Sequence, residues 1–249
     1  MLLVHGLLRA DDREVVGQVD AGSVHPRVVE AGGLAAAVSE VPDRGLTEDD
    51  AVAHLDLLVA LVADVPVLPL PLGTTAPDDD AVREEVLTPA ADELERRLAA
   101  IADLVELRLD LVFDTDALVA DIAAADPDIE RLAARSRAPG AGMADRMALG
   151  EAVAARVADA EAGLAGTWTE ELAAMAEQSA VLSADEQSRR MAFCVRRERL
   201  ADADAAVARL REAADGRAGV EYVGPLPVYS FLDDVVPADE PAPRSRWGW

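Results

Sequence analysis

The clearest strand pattern in this 249-residue chain is Val105-Glu106-Leu107-Arg108-Leu109-Asp110-Leu111-Val112-Phe113. Apolar side chains occupy every second position, and Glu106, Arg108 and Asp110 fall between them. Successive side chains of a strand point to opposite faces, so this alternation predicts a sheet with one buried face. The face that carries the three charged residues is expected to be solvated.

Helix and strand patterns alternate after this stretch. Residues from Met143 to about Leu164 predict one long helix. Met191–Val195 predicts a short strand, Glu198–Ala214 a helix and Val220–Phe231 a last extended segment. The apolar side chains of the long helix lie near a heptad pattern, at Met143, Met147, Val153, Val157, Ala160 and Leu164. This order predicts a small antiparallel sheet backed by helices, of ferredoxin-like type.

The residues before the stretch form a separate α+β pattern. Leu2–Leu8 predicts a buried strand, and the Gly32-Gly33 pair between two apolar runs predicts a hairpin. Thr47 can cap a helix that runs to about Ala63, with acidic residues at its positive end. Val65–Leu72 contains three prolines. Because proline cannot donate to a sheet ladder, this segment is expected to be an edge strand or an extended connection.

These patterns divide the chain into three parts. Residues 1–103 are predicted to form an α+β domain with a small mixed or antiparallel sheet, and residues 104–232 the ferredoxin-like domain with the long helix. Residues 233–249 are acidic and rich in proline, and they hold too few apolar side chains to fold alone. Trp247 and Trp249 in this tail are either unconstrained or an anchor for another protein.

The net charge excludes two classes of partner. The chain has 48 acidic residues and 23 basic residues, all of the latter arginine, for a net charge of −25. So negative a surface repels phosphate and anionic lipid. We therefore expect neither nucleic-acid binding nor docking on a membrane surface.

The remaining composition predicts a cytoplasmic protein. No apolar run reaches the roughly 18 residues that cross a bilayer. The N-terminus lacks the basic region and the cleavage site of a signal peptide. Cys194 is the single cysteine, which excludes disulfides within the chain and multi-cysteine metal sites, and its apolar neighbours predict a buried thiol.

No group of residues points to catalysis, to a cofactor or to a metal. His5, His25 and His54 lack metal-ligand spacing, and His54 is expected to be a core or boundary histidine. The chain has neither the glycine motifs of nucleotide sites nor the nucleophile motif of α/β-hydrolases. Asp78-Asp79-Asp80 is compatible with a metal ion, but a helix start explains it better, because carboxylates favour the positive end of a helix.

Two stiff segments remain. Gly224-Pro225-Leu226-Pro227-Val228-Tyr229-Ser230-Phe231 combines two prolines with an aromatic pair two residues apart, which projects to one side. Val67-Leu68-Pro69-Leu70-Pro71-Leu72-Gly73-Thr74 also contains two prolines. Each segment is either a contact surface for a partner or an edge strand that closes a sheet.

Together these segments resemble the GvpF/GvpL family of gas vesicle proteins. Gly224–Phe231 is similar to the family's terminal GPWPPYSF-like signature, and Val67–Thr74 is similar to its VLPLRFGT block. Leu2–Gly6 resembles the opening strand of the family, Gly33–Val41 its hairpin strand and Val105–Leu107 the strand after its helix. The order and spacing of these motifs hold across the chain as far as the acidic tail.

The sequence also departs from the family pattern. Pro71-Leu72 stands where the family usually has Arg-Phe, so a contact made by that arginine is absent here. Leu226 stands where tryptophan is usual, and Val228 where a second proline is usual. These changes remove charged, aromatic or rigid character from candidate contact segments and indicate a diverged paralogue with an altered partner preference.

The resemblance implies a non-enzymatic accessory protein of gas vesicle formation. Such a protein contacts the small hydrophobic shell protein and other accessory proteins in the cytoplasm, and needs no cofactor. The candidate contact residues are Pro69, Leu72, Gly73, Thr74, Gly224, Pro225, Leu226, Pro227, Tyr229 and Phe231. An alternative is a ferredoxin-like regulatory module that senses a small molecule, although no phosphate-binding loop supports it. A hydrolase that uses paired carboxylates is the third hypothesis.

Overall fold

Strands and helices alternate along the computed structural model, which describes residues 1–19, 24–42, 44–184 and 188–232. In chain order the elements are β1 (Leu2–Arg9), α1 (Arg13–Val16), β2 (Arg27–Ala31), β3 (Leu34–Glu40), α2 (Glu48–Asp64), β4 (Leu68–Pro69), β5 (Thr75–Ala76), α3 (Asp79–Ala81), a π-helical turn (Val82–Leu87), α4 (Ala91–Ala100), β6 (Leu104–Phe113), α5 (Thr115–Ala125), α6 (Pro127–Arg137), α7 (Met143–Met175), β7 (Gln178–Ala184), β8 (Ser188–Arg196), α8 (Leu200–Ala214) and β9 (Ala218–Leu226).

These elements group into two units. The first comprises Met1–Leu107, Cys194–Leu200 and the described residues from Val223 on. The second comprises Arg108–Phe193 and Ala201–Tyr222. The boundary near residue 103 stays a prediction. The tail expected at residues 233–249, with its two tryptophans, lies outside the described residues.

The first unit contains a sheet with the strand order β2-β3-β1-β4, in which β5 also pairs with β1. Strand β1 runs antiparallel to β3, from Leu2 opposite Glu40 to Arg9 opposite Leu34. Its first seven residues are buried, as expected for a strand with neighbours on both sides. Strands β2 and β3 form the predicted hairpin, with Gly32 at φ +59° in its turn.

Helix α2 packs against this sheet through an apolar core. The buried side chains of that core are Leu8, Val16, Ala35, Ala37, Leu57, Leu58, Leu61, Val65 and Val67. The helix begins at Glu48, and Thr47 caps it as predicted, because the Thr47 N–H and hydroxyl both donate to the Asp50 carboxylate at 2.8 Å. Arg44 donates to the same carboxylate at 2.7 and 2.9 Å, which fixes the entry into the helix.

The four-stranded sheet has the order β9-β6-β8-β7, which is fourth, first, third and second along the chain. Helices α5, α6 and α7 connect β6 to β7, and α8 connects β8 to β9. This is the strand and helix order of a ferredoxin-like fold, so the predicted α+β architecture is confirmed. The apolar row of β6 is buried as predicted, at Val105, Leu107, Leu109, Leu111 and Phe113.

Helix α7 is longer than predicted, and of the expected heptad positions Val157 belongs to its buried row. Met143 and Met147, the first two positions of the expected heptad, are 66% and 56% exposed. The buried residues are Val157, Glu161, Ala165, Thr169 and Leu172. Their spacing of mostly four residues follows one face of a helix with 3.6 residues per turn. Two of them are polar, so an apolar heptad could not reveal this row.

Candidate functional site

Residues 68–76 run along the edge of the first sheet. The two ends of this segment pair with β1, and its middle residues leave the sheet. Strands β4 and β5 both pair antiparallel with β1. Between them the Leu70 N–H donates to the His5 carbonyl oxygen at 2.9 Å, and the Val4 N–H donates to the Thr74 carbonyl oxygen at 2.8 Å. Prolines are tolerated at this edge, because the N–H that a proline lacks would not have hydrogen-bonded to a neighbouring strand.

The residues that leave the sheet are Pro71, Leu72 and Gly73, called the edge turn below. Thr74 fixes the turn by donating twice to the Pro71 carbonyl oxygen, from its N–H at 3.1 Å and from its hydroxyl at 2.7 Å. Gly73 has φ +93°, a region that residues with a side chain rarely adopt. All three residues are exposed, and Leu72 is 36% exposed. The edge turn therefore presents an apolar side chain on a fixed backbone.

Gly6 of β1 allows the edge segment to pack closely. A Cβ at this position would lie 2.8 Å from Val67 Cγ1 and 3.0 Å from both Leu58 Cδ2 and the Leu68 carbonyl oxygen. One of these neighbours is backbone and another is a stiff β-branched side chain. The glycine at the end of the opening strand motif thus has a packing role.

A chain of buried polar groups also holds the edge segment. Ser39 Oγ lies 2.8 Å from His5 Nε2, and His5 Nδ1 lies 2.9 Å from His54 Nδ1. The His54 ring also hydrogen-bonds to the backbone of Leu70. His54 is a buried histidine as predicted, but its pairing with His5 was not. The two rings are 49 residues apart in sequence and meet only when α2 packs on β1.

Burial keeps both rings neutral. Burial, with a smaller contribution from the neighbouring His54 ring, lowers the pKa of His5 from 6.5 to about 4. Burial also lowers the pKa of His54. A neutral imidazole has one donor and one acceptor nitrogen, whereas a protonated one has two donors. Protonation of both rings would therefore break the contact between the two Nδ1 atoms.

We expect the free energy of unfolding to fall as the pH drops from about 6.5 to about 4. Unfolded histidine binds a proton near pH 6.5, whereas folded His5 binds one only near pH 4, so acid favours the unfolded state. The loss for His5 reaches about 3 kcal/mol at the lower limit. Chemical denaturation at several pH values in this range measures the free energy of unfolding. The control is His25→Gln, which replaces an exposed histidine and should keep the wild-type dependence of stability on pH. A wild-type stability that does not change over this range would rule out the neutral pair.

The Gly224–Phe231 segment continues β9 and then packs into the first unit. Leu226, Val228 and Phe231 are at most 2% exposed. Tyr229 packs against the core between α2 and the first sheet. A Cβ on Gly224 would lie 2.6 Å from Leu107 Cδ2, so this strand also approaches β6 closely.

Glu106 of β6 holds this segment through Ser230. Its Oε2 accepts a hydrogen bond from the Ser230 N–H at 2.7 Å, and its Oε1 accepts one from the Ser230 hydroxyl at 2.9 Å. The Glu106 side chain is fully buried, so the expectation that it lies on a solvated face is wrong. Arg108 and Asp110 are partly exposed, and Asp110 pairs with Arg190 at 2.7 Å. The alternating pattern could not reveal a partner 124 residues away.

The acidic run Asp78–Asp80 has structural partners. Asp78 accepts a hydrogen bond from the Ala81 N–H at the start of α3, and the two carboxylates after it pair with Arg27 and Arg83. The helix-start interpretation therefore accounts for Asp78, and ion pairs account for Asp79 and Asp80. Within the described residues, no three His, Cys, Asp or Glu side chains are grouped so that they could hold a metal ion.

Two further features concern the thiol and the helices. Cys194 is fully buried in β8, as its apolar neighbours predicted. In the part of the chain that the structure describes, none of the helices is both long enough and apolar enough to span a bilayer.

Comparison with known protein families identifies proteins related to this chain. The family model described as "Gas vesicle synthesis protein GvpL/GvpF" matches residues 2–233. The chain belongs to the GvpL/GvpF family. Gas vesicle protein F of Streptomyces sp. (strain CB03234) is 33% identical to it over 238 residues, which cover 92% of this chain and 98% of that protein. The family resemblance of the motifs is thereby confirmed.

Two crystal structures share the fold of this GvpL/GvpF chain. Gas vesicle protein GvpF from Anabaena sp. PCC7120 has a TM-score of 0.78 and 16% identity, covering 93% of this chain and 97% of that one. GvpF from Microcystis aeruginosa has a TM-score of 0.73 and 15% identity, covering 93% of this chain and 98% of that one. At these identities the likeness establishes the fold alone.

The predicted contact residues of this GvpL/GvpF protein differ in exposure. The buried ones are Pro69, Leu226, Pro227 and Phe231. Thr74, Pro225 and Tyr229 are partly exposed, and Leu72, Gly73 and Gly224 are exposed. Both segments belong to the first unit, where Glu106 and the histidine pair hold them. Their role as contacts stays a prediction.

Proposed function

We propose that this protein acts in gas vesicle assembly by binding the hydrophobic shell protein and other accessory proteins in the cytoplasm, without catalysing a reaction. Membership of the GvpL/GvpF family gives it a role in gas vesicles and is the observation that carries the proposal. The specific partners and the mode of contact are the proposed part.

The edge turn supplies the apolar contact in this proposal. Leu72 is exposed on a backbone that Thr74 and the two flanking strands hold in place. A preformed turn loses little conformational entropy when it binds a partner. Gly224, Pro225 and Tyr229 are a second candidate contact, and the buried residues of their segment keep them in position.

The charge of the protein supports a role in keeping shell subunits dispersed. Each copy carries a net charge of −25. A strongly charged protein remains soluble because copies repel one another. A complex between this protein and an apolar shell subunit is expected to inherit that solubility.

Co-expression with the shell protein tests this function. The amount of shell protein in the supernatant after centrifugation is compared with this protein present, absent or replaced by Leu72→Gln. We expect less soluble shell protein when this protein is absent. If the amount is the same with and without it, the holding role is wrong.

The Leu72→Gln variant tests the edge turn separately. Loss of one buried leucine contact is expected to weaken shell binding about tenfold, since burying a leucine is worth about 1.5–3 kcal/mol. Its Tm should match the wild type, because Leu72 is exposed. Val52→Gln is the matched control, since Val52 is 59% exposed on α2 of the same unit. Equal behaviour of the two variants would remove the edge turn from the proposed contact.

A further inference from the structure

Helix α2 of the first unit carries an exposed apolar row. Val52 is 59% exposed, Leu55 is 41% exposed, and Val59 is half-buried one turn later. Residues at these intervals lie on one face of a helix, so the three side chains form a continuous surface, called the α2 strip below. The core beneath α2 is built by other side chains, among them Leu58 and Leu61. The packing of α2 on the sheet therefore does not account for the strip.

Carboxylates border the α2 strip. Helix α2 contains five acidic residues and neither lysine nor arginine. Glu48 lies one turn before Val52 and Asp56 one turn after it, and both carboxylates are exposed. Arg44, which precedes the helix, pairs with the buried Asp50 instead. A ligand that fits the strip must therefore combine apolar surface with positive charge.

The last six residues of the tail have this combination. Arg244-Ser245-Arg246-Trp247-Gly248-Trp249 contains two arginines, two of the three tryptophans of the chain and no acidic residue. Tryptophan and arginine dominate the centres of protein contacts, because tryptophan offers a large apolar area and arginine pairs with carboxylates. The segment lies beyond residue 233, where the match to the family model ends. The family pattern therefore does not account for it.

The tail is long enough to reach α2. Tyr229 packs against the core that α2 shares with the first sheet, and the described chain runs on to Leu232 in the same unit. The eleven residues between Leu232 and Arg244 span up to about 36 Å when extended. A helix with its side chains is about 10–12 Å wide. A tether of this length gives an effective concentration on the order of 1 mM, so a contact with a Kd of about 0.1 mM is formed in about nine-tenths of the molecules.

Charge distinguishes the α2 strip from another exposed apolar pair. Met143 and Met147 are exposed one turn apart near the start of α7. Arg146 lies between them in sequence, and the neighbouring Asp145 pairs with Arg135 at 3.0 Å. A cationic segment is repelled from that pair and attracted to the α2 strip.

We propose that the segment Arg244–Trp249 binds the α2 strip of the same molecule. Its two tryptophans cover the apolar row, and its two arginines pair with the carboxylates of Glu48 and Asp56. The segment thereby shields the strip from other apolar surfaces. The edge turn is not part of the strip, so this contact and the proposed shell contact can fail independently.

Tryptophan fluorescence of the full-length protein tests the proposal. Trp168→Phe leaves the two tail tryptophans as the only ones in the chain and keeps a ring beside Phe113, and Trp168→Tyr replaces it if the Tm falls. Quenching by acrylamide, which is uncharged, measures their accessibility, with the free peptide of residues 244–249 as the reference. Since about nine-tenths of the segments are bound, quenching should be at least about threefold weaker in the protein than in the peptide.

Paired substitutions in this background locate the contact. Val52→Gln combined with Leu55→Gln removes the apolar row and should raise quenching to the level of the free peptide. Arg244→Glu combined with Arg246→Glu reverses the charge of the segment and should do the same, although it alters none of the described residues. Met147→Gln is the matched control, because it replaces an exposed apolar residue of another helix and should change nothing.

Four results would overturn the proposal. One is equal quenching of the protein and the free peptide. Another is that neither pair of substitutions raises quenching. The third is that Met147→Gln raises it as much as the α2 pair does. The fourth is protection that is lost on about hundredfold dilution, because a contact within one molecule is independent of protein concentration and a contact with a second copy is not.

Discussion

Replacing Glu106 by alanine is expected to lower the free energy of unfolding by about 3 kcal/mol, because two half-buried donors lose their acceptor and each unpaired donor costs about 1 kcal/mol or more. The carboxylate accepts both the N–H and the hydroxyl of Ser230, so the variant leaves two donors unpaired. It also opens a cavity at a fully buried position. Urea denaturation of the purified variants measures the loss.

Two further variants distinguish the loss of the hydrogen bonds from the loss of side-chain volume. Glu106→Gln keeps the side-chain volume and one acceptor oxygen, so about half of the loss is expected. Ser230→Ala removes only the hydroxyl and should cost about 1 kcal/mol. Ser230→Ala should cost less in the Glu106→Ala background than in the wild type, because the contact is already lost. A Glu106→Ala protein as stable as the wild type would show that Glu106 does not hold the terminal segment.

Gly6→Val is expected to lower the free energy of unfolding by at least about 3 kcal/mol, the upper range for overpacking a core. The new side chain would meet Val67, Leu58 and the Leu68 carbonyl oxygen at 3.0 Å or less. The backbone oxygen cannot move without breaking the pairing of β4 with β1. Hydrogen exchange of the Leu70 N–H should therefore accelerate in the variant, because that N–H donates to His5 on β1.

Gly33→Ala is the matched control for Gly6. A Cβ at Gly33 would lie 2.8 Å from Glu95 Oε1, as short as the closest contact at Gly6. That oxygen is the end of a flexible side chain and can move away, so the cost should stay below about 1 kcal/mol. Equal losses at both glycines would mean that close packing of the edge segment is not the reason for Gly6.

Local patterns predicted the elements whose cause is local. The alternation in β6 predicted its buried apolar row, because a strand places every second side chain on one face. Thr47 predicted the start of α2, because a cap and its acceptor are three residues apart. The order of the later elements predicted a ferredoxin-like sheet, since short connections and sheet packing leave few alternatives, although β7 was not among the predicted strands.

Contacts between distant parts of the chain were beyond these patterns. Glu106 looks like any charged residue of a solvated strand face until Ser230 packs against it. His5 and His54 have no shared motif and meet through the packing of α2 on β1. The buried row of α7 contains Glu161 and Thr169, and the Thr169 hydroxyl is satisfied within the helix by the Ala165 carbonyl oxygen at 2.7 Å. A search for apolar residues at helical spacing misses buried polar residues of this kind.

The sequence predicted which two segments form the candidate site, but not which of their residues are exposed. Proline stiffens a buried edge and an exposed turn equally, so the sequence alone left both roles open for each segment. The structure buries Leu226, Pro227 and Phe231 and exposes Leu72 and Gly73. Which side of a stiff segment faces solvent depends on the core that forms beneath it, and no local signal specifies that core.

Direct binding to the shell protein most sharply tests whether this protein works through apolar contact at the edge turn. Purified wild type, Leu72→Gln and Val52→Gln are titrated against immobilised gas vesicle shell protein, and the three affinities are compared. We expect the wild type and Val52→Gln to bind equally and Leu72→Gln to bind about tenfold more weakly. Equal binding by all three proteins, or no binding by the wild type, would contradict the proposed contact.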